Sequence, residues 1–261
     1  MSAFSSLCPQ TLVARLRAAG CVFAEDEARL LASAATNPDE LADMVDRRVA
    51  GLPLEQILGW AEFCGRRIAV DPGVFVPRRR TEFLARQATA VARHRAVVLD
   101  LCCGSGAVGA VLTAARAEVE LHAVDVDPAA VRCARRNAVG ARVYQGDLYD
   151  PLPRSLHRRV DVLVANAPYV PTGSIGLLPP EARVHEPRVA LDGGADGVVI
   201  QRRVAADAAR WLAPGGHLLI ETSERQAPLT VDAFVRGGLT PRVVHSEESG
   251  ATVVIGTRRP D

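Results

Sequence analysis

Four residues, Asn166-Ala167-Pro168-Tyr169, follow the apolar run Val160-Asp161-Val162-Leu163-Val164-Ala165. A run of that kind reads as a buried parallel strand. The residue at its carboxyl end sits where open α/β sheets place their ligands. There the four residues offer a carboxamide oxygen, a backbone carbonyl and an aromatic wall around one small planar group. That combination can hold an amide or amino nitrogen still while another group reacts with it. Asn and Pro are also common turn residues, so the same segment can be a plain strand end.

A second constellation lies upstream. Asp100-Leu101-Cys102-Cys103-Gly104-Ser105-Gly106-Ala107-Val108-Gly109 contains a literal G-x-G-x-x-G. Asp125-Val126 closes the next strand about 20 residues further on, the layout of a dinucleotide fingerprint. A nicotinamide cofactor is therefore one reading. Two features favour S-adenosylmethionine. Asp100 precedes the first glycine, where a carboxylate meets an ammonium group but repels a pyrophosphate on the helix N-terminus. Gly146-Asp147-Leu148 follows the third strand and suits an adenine, with Asp147 accepting from the exocyclic amine and Leu148 packing on the ring. The plainer alternatives are a loop-capping Asp100 and a turn acid at Asp147. Asp127 is more simply the N-cap before Pro128.

These residues need a scaffold. From residue 96 onward strands and helices alternate. Strands are expected at 97–101, 119–124, 143–144, 160–165 and 217–221, with helices at 106–116, 128–138, 198–212 and 231–236. Two last strands, 240–245 and 252–256, are joined too tightly for a crossover helix and should pair antiparallel. The sum is a mostly parallel, doubly wound sheet of about seven strands. The first sixty residues read as short helices, with Leu12, Val13, Leu16 and Ala19 on one face and breaks at Asn37-Pro38 and Gly51-Leu52-Pro53. Residues 62–76 alternate like a β-hairpin, with Asp71-Pro72-Gly73 as its turn. Thr81 is expected to cap a helix over 82–93.

Composition bounds the function. The 261 residues carry a formal net charge of +1, so no basic field points to nucleic acid. All 31 basic residues are arginine, which reads as compositional background. The six cysteines form no C-x-x-C pair, which argues against zinc and for reduced cytosolic thiols. Residues 1–20 lack a signal-peptide pattern and no apolar run approaches the ~20 residues of a membrane span. A soluble cytoplasmic protein without metal is expected.

The chain closely resembles the protein-(glutamine-N5) methyltransferases of the PrmC/HemK type. The resemblance rests on Gly51-Leu52-Pro53-Leu54-Glu55-Gln56-Ile57-Leu58-Gly59, on Val74-Phe75-Val76-Pro77-Arg78-Arg79-Arg80-Thr81-Glu82, on the Gly-rich loop, Asp125 and the Asn166 tetrapeptide, and on the stretches 186–197 and 221–226. It implies a class I (Rossmann-like) methyltransferase domain over 81–261, a small helical domain over 1–60 and a β-hairpin linker over 61–80. It implies S-adenosylmethionine as cofactor, S-adenosylhomocysteine as product and a peptide release factor as protein substrate.

In that family's manner, the Asn166 side-chain oxygen and the Ala167 carbonyl would each accept one N–H of a glutamine amide, with Tyr169 packed against its plane. Asp100, Cys102, Cys103, Gly104, Ser105, Gly106, Asp125, Val126, Asp147, Leu148 and Asn166 would line the cofactor. Arg78 and Glu186 would lie near the substrate; by their own chemistry Arg78, Arg79 and Arg80 form either a basic rim for an acidic partner or a solvated charge run. Several positions depart from the family pattern. Ala167 replaces a proline, Cys102-Cys103 a Gly-Thr pair, Arg79-Arg80 a proline and an acid, and Ser223 a glycine. A nucleic-acid exocyclic-amine methyltransferase and a small-molecule N-methyltransferase are the competing activities. A non-catalytic cofactor-binding relative is the competing class.

Overall fold

The computed structural model describes residues 8–116 and 118–260. The first seven, part of the stretch read for a signal peptide, lie outside the described residues.

Helices α1 (Pro9–Ala18), α2 (Ala24–Ala34), α3 (Pro38–Val49) and α4 (Leu54–Leu58) pack around Leu12, Leu16, Leu31, Val45 and Ile57. The break at Asn37-Pro38 is a cap: the Asn37 side chain accepts from the Glu40 N–H at 2.9 Å. Helix α4, after Pro53, was not expected. Arg48 on α3 is nearly buried between Glu27 on α2, at 2.6 Å, and Glu181, at 3.3 Å.

Strands β1 (Trp60–Phe63) and β2 (Arg66–Ala69) form an antiparallel hairpin. Its turn is Cys64-Gly65, not Asp71-Pro72-Gly73 as expected. Both turn residues have positive φ, 51° and 69°. A two-residue connection of that hand matches the right-handed twist of the strands. Asp71 instead turns the chain after β2, its carbonyl accepting from the Val74 N–H at 3.1 Å. Helix α5 (Thr81–Val91) follows, and its N-cap is Arg80. Thr81 is thus the first helical residue rather than the cap.

The main sheet contains β3 (Val97–Leu101), β4 (Glu120–Asp125), β5 (Arg142–Gln145), β6 (Val160–Ala165), β7 (Leu212–Thr222), β8 (Leu239–Ser246) and β9 (Ala251–Arg258). Their spatial order is β5-β4-β3-β6-β7-β9-β8. All are parallel except β9, which runs antiparallel to both β7 and β8. Helices α6 (Ala107–Ala115), α7 (Pro128–Asn137), α8 (Pro180–His185), α9 (Val199–Trp211) and α10 (Ala227–Arg236) connect them. Alternate strand residues serve two cores. Leu99, Leu101 and Leu163 pack with Val204 of α9 and Phe234 of α10. Val98, Val162 and Val164 pack with Leu84 of α5 and Leu112 of α6.

Register positions the site. Leu101 pairs with Val124 on one side and with Ala165 on the other, and Ala165 pairs with Ile220. The chain therefore leaves β3, β4, β6 and β7 at one level, on either side of the point where the strand order reverses. That is the place where doubly wound sheets open a crevice.

Candidate active site

A cavity of about 730 Å³ occupies this crevice. Its size lies within the range of small-molecule sites. Asp100, Cys102 to Ser105, Asp125, Val126, Asp147, Leu148 and all four residues from Asn166 to Tyr169 line it. Residues far apart in sequence are brought together by the level strand ends. Gly106, one residue further, is not among them: a Cβ there would lie 3.0 Å from Ala134, so this glycine admits close helix packing.

Asp100 is an acid inside a wholly buried strand, 2% exposed. It receives one hydrogen bond, from the Gly109 N–H at 3.2 Å. Burial lifts its pKa to about 7; the Gly109 bond works against this and neighbouring Asp125 adds to it. A carboxylate in that state gains from a cationic partner. A ligand carrying ammonium and sulfonium groups supplies one, so the residues present fit S-adenosylmethionine. Gly104, at φ 53°, has no atom within 4 Å of where a Cβ would stand, so its backbone borders open space. Asp125 accepts from Gly104 N–H at 2.8 Å and from Asp127 N–H at 2.9 Å. Each oxygen keeps a lone pair for a hydroxyl. Burial raises its pKa as well. Asp127 accepts from Ala129 N–H at 2.8 Å, the cap expected of it.

Asp147 is paired with Arg203 of α9 at 2.8 Å across the cavity rim. Leu148, at φ 49°, tucks its side chain into the core while bordering the cavity. Cys102 also adopts positive φ, 55°, where the resembling family has glycine. Burial pushes both the Cys102 and Cys103 thiols well up, so neither is ionised at neutral pH.

On the other flank, Asn166 Nδ2 donates to Thr81 Oγ1 at 3.2 Å. Its Oδ1 is buried and has no partner. Ala167 is 1% exposed. The Arg80 guanidinium lies 5.3 Å from the Tyr169 ring centre, donates to its hydroxyl and reaches Glu221 at 3.4 Å. Glu221 is itself buried with its Oε2 unpartnered, and burial raises its pKa against the lowering influence of nearby Thr81 and the Arg80 charge.

Arg78 and Glu186 do not line the cavity. They bind each other at 2.5 Å, and Glu186 also accepts from the Val76 N–H at 3.2 Å. Desolvation raises the Glu186 pKa despite Arg78. With Arg78 held by Glu186 and Arg80 by Glu221, these two arginines brace buried carboxylates instead of forming a loose basic rim.

Thr81, Arg203, Glu221 and Gln226 were not assigned to the site from sequence. Glu221 was within reach: it is an acid at the carboxyl end of an apolar strand, the signal that marked Asp125. Thr81 carried a cap signature that hid its other role.

The architecture is that of a class I S-adenosylmethionine-dependent methyltransferase. A solved methyltransferase from Pyrococcus furiosus superposes with a TM-score of 0.58, at 14% identity over 84% of this chain and 99% of the other. The profile of the "Methyltransferase small domain" matches residues 66–177. A release factor glutamine methyltransferase of Geobacter sulfurreducens is 39% identical over 229 residues, covering 85% of this chain and 80% of the relative. A 4-amino-L-phenylalanine/4-methylamino-L-phenylalanine methyltransferase of Streptomyces pristinaespiralis is 39% identical over 200 residues, 72% of this chain and 67% of that one. The chain belongs to the release factor glutamine methyltransferase family. Among the described residues, no helix is long and apolar enough to cross a membrane, and no cluster of three or more potential ligands could hold a metal ion.

Proposed function

We propose that this methyltransferase modifies the side-chain amide nitrogen of a glutamine in a peptide release factor, in the cytoplasm. One observation carries the reading: the Asn166 carboxamide is tied through Nδ2 to Thr81 while its Oδ1, beside the cavity, is buried and unpaired. Such an orphan costs roughly 1–3 kcal/mol unless a donor meets it. A substrate N–H is that donor.

An amide nitrogen is a poor nucleophile because its lone pair is delocalised into the carbonyl. S-Adenosylmethionine supplies an electrophilic methyl group and leaves as S-adenosylhomocysteine. The chain's share is positioning. Asn166 Oδ1 and the Ala167 carbonyl accept the two N–H groups, which turns the nitrogen lone pair away from both. Tyr169 and Pro168 wall the plane. Alignment of this kind is worth about 7–11 kcal/mol. Asp100 holds the ammonium end of the cofactor, Asp125 the ribose hydroxyls, and Asp147 with Leu148 the adenine. Ala167 in place of proline keeps the accepting carbonyl and gives up about 0.5–1 kcal/mol of rigidity.

A second reading is favoured by the Streptomyces pristinaespiralis relative, which shares 39% identity and is named for an aryl amine of an amino acid. An aromatic amine presents the same problem of a delocalised lone pair. The two readings part in one experiment. The protein is incubated with tritiated S-adenosylmethionine and a lysate of its own organism, and the label is fractionated. Label in a protein of release-factor size, released as N5-methylglutamine on proteolysis, supports the glutamine reading. Label confined to small molecules or RNA replaces it.

A further inference from the structure

The β1–β2 hairpin and the Gly-rich loop meet on one side chain of α7. Ala69 ends β2 and turns its backbone to that helix: its N–H donates to Asn137 Oδ1 at 2.9 Å, and its carbonyl accepts from Asn137 Nδ2 at 2.8 Å. The carboxamide makes the pair of bonds that a further strand would make there. The second N–H of Nδ2 donates to the Ser105 carbonyl at 2.8 Å. An Asn amide has two donors, and here one is placed on the hairpin and one on the loop. Turned over, the amide would set Oδ1 against two carbonyl oxygens, so its orientation is fixed. Ser105 lines the cavity and is 3% exposed. Gly106 of the same loop packs on Ala134, one turn before Asn137. The hairpin and the turn after it have two further holds on this face of α7. The Cys133 thiol donates to the Ala69 carbonyl at 3.0 Å, and Arg136 meets Asp71 at 2.6 Å.

We infer that Asn137 is a positioning residue that couples the seat of the hairpin on α7 to the shape of the cofactor loop. This rests on the reading of the cavity as the S-adenosylmethionine site, and not on which nitrogen is methylated. A loop closed on the cofactor holds the Ser105 carbonyl, and with it the Asn137 amide, in the place where Ala69 is fully paired. Such coupling is reciprocal: a seated hairpin raises cofactor affinity by the factor by which bound cofactor steadies the hairpin. Only Gly59 separates α4 from β1, so the helical domain rides on the same seat.

The test uses the whole chain and S-adenosylhomocysteine. Calorimetry reports affinity, and hydrogen exchange at saturating ligand reports the peptide covering residues 60–70. Asn137→Ala removes all three bonds. Asn137→Asp keeps the acceptor for the Ala69 N–H and turns both donated bonds into oxygen–oxygen contacts. Each is expected to raise Kd by ~5–150-fold, the usual span for coupled sites. In the parent, ligand should slow exchange across 60–70. In both variants that ligand-dependent slowing should vanish, while protection of β9, remote from α7, stays parental. A parental hairpin indifferent to ligand overturns the inference, whether or not the variants fold. So does a Kd within about two-fold of parental in Asn137→Ala. Ligand-dependent slowing that survives in a weakened variant also overturns it, since Asn137 then only stiffens the loop. Loss of β9 protection in step with affinity marks general damage and does the same. A parent that binds no S-adenosylhomocysteine removes the cofactor reading itself, whereas a parent that binds it with an indifferent hairpin removes the coupling alone.

Discussion

The Gln226 side-chain amide donates to the Tyr169 carbonyl at 2.9 Å and to the Asp196 carbonyl at 3.1 Å. The Ser223 hydroxyl donates to its oxygen at 2.6 Å and fixes its orientation. Gln226 thus straps the glycine-rich segment after β6 onto the Asn166 tetrapeptide. The strap needs a residue without a side chain at 197, where a Cβ would lie 2.2 Å from Gln226 Nε2 and 2.3 Å from the Tyr169 oxygen. Replacing Gln226 by alanine should cost ~1–3 kcal/mol in urea denaturation and lower turnover. Gly197→Ala should do the same, since φ there is 78°. Parental turnover in both variants would disprove the strap.

Asn166→Ala should abolish methyl transfer while S-adenosylhomocysteine binding stays close to parental. The side chain is assigned to the acceptor nitrogen, and the cofactor keeps Asp100 and Asp125. Calorimetry and a single-turnover assay separate the two effects. A parallel loss of binding would place Asn166 chiefly on the cofactor.

Asp100 gives a pH prediction of definite sign. Its pKa rises from 3.8 to about 7 on folding because the carboxyl is desolvated. The folded protein therefore holds a proton that the unfolded chain releases within that window. Stability of the cofactor-free protein should fall as pH rises from about 4 to 7. Cofactor affinity should move oppositely, rising through pH 7 as the carboxylate ionises to meet a cation. Asp100→Asn should flatten both trends. Asp125, Glu186 and Glu221 are raised too, so the difference between parent and variant is the quantity to measure.

The thiols should divide sharply in reactivity. Cys8 is exposed, and its hydrogen bonds to Thr11 lower its pKa. Cys102 and Cys103 are shifted the other way by burial. Brief alkylation at pH 8 should modify Cys8 first and leave the Cys102-Cys103 peptide unmodified by mass spectrometry. Early labelling of that peptide would show the cofactor loop to be open.

Arg48→Ala should destabilise the fold by ~3–5 kcal/mol, because it strands Glu27, whose side chain is 11% exposed, without a partner. Guanidinium titration measures this. A loss below about 1 kcal/mol would mean that water replaces the pair.

The strands at 97–101 and 160–165 were legible to the residue, since each is a short, nearly unbroken apolar run of the kind only a sheet covered on both faces accepts. The acids at or beside strand ends were legible for the same reason: a charge there contradicts its surroundings. The hairpin turn was not. Asp71-Pro72-Gly73 carries a stronger local turn signature than Cys64-Gly65, yet strand twist decided in favour of the latter. β7 begins at Leu212, well ahead of the expected 217, and its pairing with β6 shifts register between Val160 and Val162. Pro214-Gly215-Gly216 therefore lies within β7, although proline and glycine are weak strand residues. Thr81 and Asn166 had to be seen together, because a contact between residues 85 positions apart is a property of strand order and not of local pattern.

β9 lies between β7 and β8, so residues 251–258 hold the edge of the very strand whose tip carries Glu221. During synthesis that edge stays bare until nearly the whole of this sequence has been translated. The β7 flank of the crevice is accordingly finished after the β3–β4 flank. A nascent chain can assemble its Gly-rich loop early, yet its acceptor side waits for β9 to slide home.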